Sequence, residues 1–194
     1  MIKYIILGFV SKAIASLDDA LTRIPVAASL TKKRKGRIAF SVGTLIALAL
    51  IIVLAILFSS LIQEFPYTRY IAGFLIFLLA IGVHFNLLSR EKRGEKITKK
   101  KIKKVHKTKI SKLITAGFIV AFITLIDDAV VFIPLFLEST KATISAIIGI
   151  LIAAIIQIIL VVYSAKKISK IKHNKEIASI GLIILAILVI IGII

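Results

Sequence analysis

Apolar residues run along this chain in six long stretches, separated by short polar or basic ones. They cover roughly Ile2–Leu30, Ile38–Ile62, Tyr70–Leu88, Leu113–Leu137, Ala142–Tyr163 and Ile177–Ile194. A helix needs about 20 residues to cross a hydrocarbon core, and each stretch comes near or above that. Barrel strands would be about ten residues long and would alternate, which these runs do not. The pattern predicts an all-α integral membrane protein of six transmembrane helices. Runs 1 and 4 carry charge and proline in their middles, while the other four are almost clean. The apolar start, Tyr4 to Val10, has one lysine before it and no small-residue cleavage pattern after it. It continues into more apolar sequence, so it reads as part of the first helix rather than a cleaved signal.

Composition agrees with this reading. Hydrophobic residues make up 59% of the 194, against about 45–50% in soluble domains. There is no cysteine, so disulfides and thiolate metal sites are excluded. The net charge of +18 suggests a nucleic-acid binder only until its distribution is seen. Three inter-helix segments on one face, Thr31–Arg37, Ser89–Lys112 and Ser164–Lys175, hold 5, 12 and 5 basic residues. The other face has Lys3, Arg69 and Lys141. By the positive-inside rule the basic loops are cytoplasmic and both termini lie outside. The 89–112 segment reads as a solvated basic linker able to touch anionic lipid head groups. It divides a three-helix unit over 1–88 from a second over 113–194. No recognition motif accompanies the charge, so no nucleic-acid partner is expected.

The two units repeat each other. At an offset of 109 positions Gly8-Phe9 falls on Gly117-Phe118, and Asp18-Asp19-Ala20 on Asp127-Asp128-Ala129. Ile24-Pro25 falls on Ile133-Pro134, and Thr31-Lys32 on Thr140-Lys141, with no gap. Three spans per unit is an odd number, so the second unit enters the membrane upside down. Inverted repeats of this kind build transporters whose site lies near the midplane.

All four aspartates of the chain are in the two pairs, Asp18-Asp19 and Asp127-Asp128. A carboxylate at a helix centre costs about 2.5–3.5 kcal/mol to insert, so it persists where it faces a cavity, a partner or an ion. The bland alternative is a set of structural hydrogen bonds between helices. Pro25 cannot donate to the carbonyl of Leu21, nor Pro134 to that of Val130, so each helix is expected to bend or open just after its pair. Carbonyls released there would join the carboxylates as oxygen ligands. Neighbouring residues point about 100° apart on a helix, so one aspartate of each pair is expected to face the site. Lys12 and Arg23 share the first helix and either stay inside or snorkel to opposite surfaces. If both stay inside, four carboxylates and two cations leave a charge of −2, matching one divalent cation. Ala121 and Phe132 stand at their positions in the second repeat. His84 and Gln157 are accessory polar candidates, with Thr44 and Thr124. Oxygen donors suit hard or borderline ions such as manganese, magnesium or calcium.

The segment Asp127-Asp128-Ala129-Val130-Val131-Phe132-Ile133-Pro134-Leu135-Phe136 resembles the LysE superfamily of exporters, most closely its cadmium-resistance branch. Ser164-Ala165-Lys166-Lys167-Ile168 is similar to the basic loop that follows the fifth helix there. The resemblance implies six helices, inverted repeats and export of a cation or an amino acid. It carries Asp18, Asp19, Asp127 and Asp128 over as substrate-site residues and metal ligands, and Pro25 and Pro134 as helix breakers. Without thiolates the ion stays open among manganese, magnesium, calcium and cadmium.

The leading expectation is therefore a secondary transporter exporting a divalent cation from a prokaryotic cell across the plasma membrane. An exporter of a cationic amino acid such as lysine is the alternative, and a scaffold without flux is a third. An intramembrane aspartyl protease is disfavoured because Leu125 and Ile126 stand where its Gly-x-Gly-Asp pattern would begin. No enzyme activity and no resident cofactor are expected, since the cation is substrate. Membrane lipid and the ion are the expected partners, with a homodimer also admissible.

Overall fold

Long Ile-, Leu- and Ala-rich runs must satisfy their own backbone hydrogen bonds in lipid, and helices do so within one segment. The structure, a computed structural model, describes residues 1–30, 34–85, 110–168 and 174–192; side chains are described for 1–16, 35–85, 110–162 and 179–192. Helices α1 (Ile2–Leu30), α2 (Arg34–Gln63) and α3 (Thr68–His84) form the first half. Helix α4 (Ile110–Leu125), a short α5 (Asp128–Phe132) and a 3₁₀ turn (Ile133–Phe136) follow. Helices α6 (Thr140–Ile168) and α7 (Asn174–Ile191) complete the chain. The described residues contain no strand. Of the linker, only 110–112 are among the described residues.

The fourth run is broken. Its two parts, Ile110–Leu125 and Asp128–Phe136, meet at 61°. The bend falls at Ile126-Asp127, directly before Asp128, and not after the pair as the proline alone suggests. Pro134 acts second. It stands in the first turn of the 3₁₀ segment, where a missing N–H costs least. By contrast α1 is helical throughout Ile2–Leu30, Pro25 included.

Among the described residues, Lys35–Gln63 and Thr140–Val162 are long and apolar enough to cross a membrane. The bent pair makes three such spans if it is counted as one. Large apolar side chains such as Val53, Phe74, Ile155 and Ile184 are exposed on the bundle surface. Lipid, and not water, is the solvent that tolerates such a surface.

Helix α1 packs chiefly on α6, α2 on α4, and α3 on α7. Glycines bring these pairs together, since lipid gives helices no hydrophobic reason to associate and close backbone approach must do so. A Cβ on Gly8 would stand 2.2 Å from the carbonyl oxygen of Ala146, and one on Gly117 3.0 Å from Cα of Phe40. A Cβ on Gly43 would meet the carbonyl oxygen of Ile114 at 2.4 Å. The contacts also give direction. Gly8 meets Ala146 while Ser16 meets Gln157, so α1 and α6 run parallel. Gly73 approaches Ala186 while Ser179 bonds Ala80, so α3 and α7 run antiparallel.

These contacts come in matched sets. Gly8 against Ala146 corresponds to Gly117 against Phe40. Gly149 against Ile5 and Phe9 corresponds to Gly43 against Ile114 and Phe118. Gly8 and Gly117 are 109 positions apart, but Phe40 and Ala146 are 106 apart. Ala80 and Ala186 also differ by 106. The gap-free register expected from the sequence thus matches these contacts at the first helix of each half only. Beyond it the matching contacts lie three residues out of that register, which would set Lys35 against Lys141.

The broken segment lies at the centre of the bundle. Helix α5 and the 3₁₀ turn touch α1, α2 and α3, and the turn also touches α6. Val131 and Phe132 are fully buried, and Leu135 nearly so. Irregular backbone at membrane depth survives only where protein covers it, and this position provides that cover.

Candidate site at the helix break

The first helix is apolar except for a few positions. Ser11, Lys12 and Ser16 are all buried, so these three face the protein and not lipid. Lys12 does not snorkel. Its ammonium Nζ donates to Oδ2 of Asp128 at 2.5 Å, with both side chains 1% exposed. Asp128 is brought there by the bend, which ends α4 at Leu125 and starts α5 at Asp128. An isolated ion would carry a desolvation penalty of several kcal/mol, and pairing is what makes each of these tolerable. The pair also joins the two halves of the chain at the discontinuity.

Asp127 is half-buried in the turn beside it. The two aspartates of the second pair are therefore inequivalent, and Asp128 is the one turned into the interior against α1. Asp18 and Asp19 lie on α1, one to two turns beyond Lys12, in continuous helix. Their side chains, with those of Arg23 and Pro25, lie outside the described residues. Among the described residues no three carboxylates or imidazoles gather as a metal-holding group.

A polar seam runs along α1 toward the first Asp pair. Ser16 Oγ donates to the carbonyl of Lys12 at 2.6 Å, and Gln157 Nε2 on α6 donates to the carbonyl of Ser16 at 3.5 Å. Gln157 thus faces α1 one turn after Lys12. Ser11 is buried, and among the described residues its hydroxyl has no hydrogen-bond partner. His84 is exposed in the last turn of α3, edge-on to Phe85 with ring centroids 5.1 Å apart. Thr44 and Thr124 turn back on their own helices, donating to the carbonyls of Phe40 and Val120 respectively.

The far end of the broken segment is held by α2. Ser59 Oγ donates to the carbonyl of Phe136 at 3.1 Å, and Gln63 Nε2 to that of Leu137 at 3.1 Å. A segment this short leaves its last carbonyls without helical partners, and these side chains supply them. A pocket of about 420 Å³ opens beside it, lined by Thr68, Arg69, Pro134, Leu137 and Glu138. The hydroxyl of Tyr4 donates to Glu138, tying the start of α1 to the same end.

Sequence reasoning singled out Asp128 and Gln157, which the structure brings to α1, and passed over Ser11, Ser16, Ser59 and Gln63. A faint signal existed. Ser11-Lys12 and Ser16 recur at one-turn spacing in an otherwise apolar run, which marks one polar face on a buried helix.

A family model described as cadmium resistance transporter matches residues 13–194. No curated protein and no solved structure matches the chain.

Proposed function

This chain belongs to the cadmium resistance transporter family, and from that premise we propose that it exports a divalent metal cation through a site built on its two Asp pairs. The coarser part follows from membership: a helical membrane protein of a metal-resistance transporter family, not of an enzyme family. The amino-acid alternative draws no support from the match.

The proposed architecture is six spans in two inverted three-helix repeats, 1–88 and 113–194, joined by the basic linker. The matched glycine contacts support it, because each contact made by one half is answered in the other. Direction supports it as well. Helices α3 and α7 occupy equivalent places in the two halves and run antiparallel, as inversion requires. In such proteins substrate sites form at discontinuous helices on the repeat interface. The 61° break before Asp128 is a discontinuity of that kind.

The observation that carries the reading is Asp128, a buried carboxylate at the break, held by a cation from the other half. That carboxylate, with Asp127 half-buried beside it and Asp18 and Asp19 further along α1, would supply the oxygens for the ion. Alternating access then follows by rocking one half against the other, releasing the ion outside. The positive-inside bias of the basic loops supports a cytoplasmic linker with both termini outside.

The test is metal-dependent thermal stabilisation of the purified protein. A ligand that binds the folded state alone raises its melting temperature by mass action. Cadmium or manganese at about 100 times its Kd should add about 2.7 kcal/mol to the wild type. Asp128→Asn and the pair Asp18→Asn plus Asp127→Asn should lose that gain. If both variants are stabilised as strongly as the wild type, the Asp pairs are not the metal site.

A further inference from the structure

We infer that Lys12 is a tethered competitor for the transported ion, occupying Asp128 whenever the ion is absent; this rests on the metal-site reading above. The ammonium and a metal cation would compete for the same buried carboxylate. Nζ stands 2.5 Å from Oδ2 of Asp128, which leaves no space for a metal ion between them. A bound ion therefore displaces Lys12, and departure of the ion lets it return. Lysine suits this exchange better than arginine would. Its charge is compact and sits on a flexible stem, whereas a guanidinium grips a carboxylate with a bidentate fork.

Two consequences follow. Displacing Lys12 opposes ion binding, so the wild type binds its ion more weakly than a site without the lysine. The returning lysine neutralises Asp128, so the empty carrier can change conformation without an uncompensated buried carboxylate. Lys12 thus lowers affinity and permits the empty return step. The asymmetry of the halves fits such a role. The position equivalent to Lys12 is Ala121, and that equivalent to Asp128 is Asp19. In the conformation with the halves exchanged, an alanine methyl would stand where the ammonium now stands. Lys12 therefore acts in one state of the cycle and not in its mirror image, so the two empty states differ in energy.

The experiment uses the full chain in proteoliposomes with cadmium or manganese ions, reading binding affinity, net flux, and exchange between equal concentrations on both sides. Exchange needs no empty return; net flux does. Lys12→Gln should bind the ion about tenfold more tightly, equivalent to about 1.4 kcal/mol. It should keep exchange while losing about tenfold of net flux. Lys12→Arg retains the charge and guards against a folding failure in the first variant. It should bind the ion more weakly than the wild type. Opposite shifts in affinity establish competition. A fall in affinity for both variants, or equal loss of exchange and net flux in Lys12→Gln, would overturn it in favour of a structural ion pair. Asp128→Asn separates the two levels: full binding by that variant defeats the metal-site reading itself, whereas lost binding with unshifted Lys12 variants defeats only the competitor.

Discussion

A Cβ placed on Gly149 of α6 would stand 2.0 Å from the carbonyl oxygen of Ile5 on α1. No side chain fits there, so the two helices touch backbone to backbone. Gly43 on α2 stands in the same relation to Ile114 on α4, at 2.4 Å.

The first prediction is that Gly149→Ala and Gly43→Ala damage the protein to a similar extent. Overpacking a close contact costs about 1–3 kcal/mol. Both obstructing atoms are backbone, which cannot rotate away, so each variant should lie at the upper end. Thermal unfolding in detergent measures this directly. Equal losses also test the equivalence of the α1–α6 and α2–α4 contacts, while a loss in only one would break it.

A second prediction concerns the ion pair as a structural element. Removing one member of a buried pair costs about 3–5 kcal/mol, because the other charge is left uncompensated. Asp128→Leu should therefore lower the melting temperature sharply. Asp128→Leu combined with Lys12→Met should recover most of the loss, since an apolar replacement of both partners is nearly neutral. A double-mutant cycle on melting temperatures gives the coupling. If the losses simply add, the pair is not an energetic unit.

The third prediction addresses how α2 grips the broken segment. Ser59→Ala leaves the Phe136 carbonyl only the longer bond from Gln63 Nε2, at 3.4 Å, and a buried acceptor so poorly met costs up to about 1–3 kcal/mol. Gln63→Ala removes a more exposed bond and should cost less, about 1 kcal/mol. Hydrogen exchange at 133–138 should rise in Ser59→Ala, with α6 and α7 little changed. Unchanged protection there would show that packing alone holds the segment.

The fourth prediction separates the two breaks in the fourth run. The 61° bend precedes Asp128 and lies seven residues before Pro134 in the chain. Pro134→Ala restores one N–H inside the 3₁₀ turn but leaves the bend in place. Stability should change by about 1 kcal/mol or less, and metal-dependent stabilisation should persist. Loss of metal response in Pro134→Ala would mean that the proline, and not the turn at Ile126-Asp127, positions Asp128.

Much of the fold was legible in the chain. The six apolar runs and the described helices share their limits to within a few residues, because hydropathy in lipid is a local sum that needs no knowledge of neighbours. The repeat expected from Gly-Phe, Asp-Asp-Ala and Ile-Pro agrees with the glycine contacts of the first helix in each half, and its gap-free offset does not extend to the later contacts. After Pro25 the gap-free offset rests on Thr31-Lys32 against Thr140-Lys141 alone, and the apolar residues beyond match at almost any offset, so the three-residue change of register stayed hidden. Backbone contacts at Gly8, Gly43, Gly117 and Gly149 reveal it.

The site was half legible. Asp128 stood out because a carboxylate in an apolar helix is costly and so demands a partner. The identity of that partner was hidden. Lys12 is 116 positions away and could equally have reached for a membrane surface. Sequence by itself determined which segments are apolar helices, the family they belong to, and which carboxylates need a reason to exist. Only the tertiary structure decided that Lys12 answers Asp128, that the break precedes the aspartate, and that Asp127 stays half-buried beside it. The physical reason is range: burial cost is a property of one residue in its own segment, whereas an ion pair exists only when packing brings two distant helices within a few ångströms.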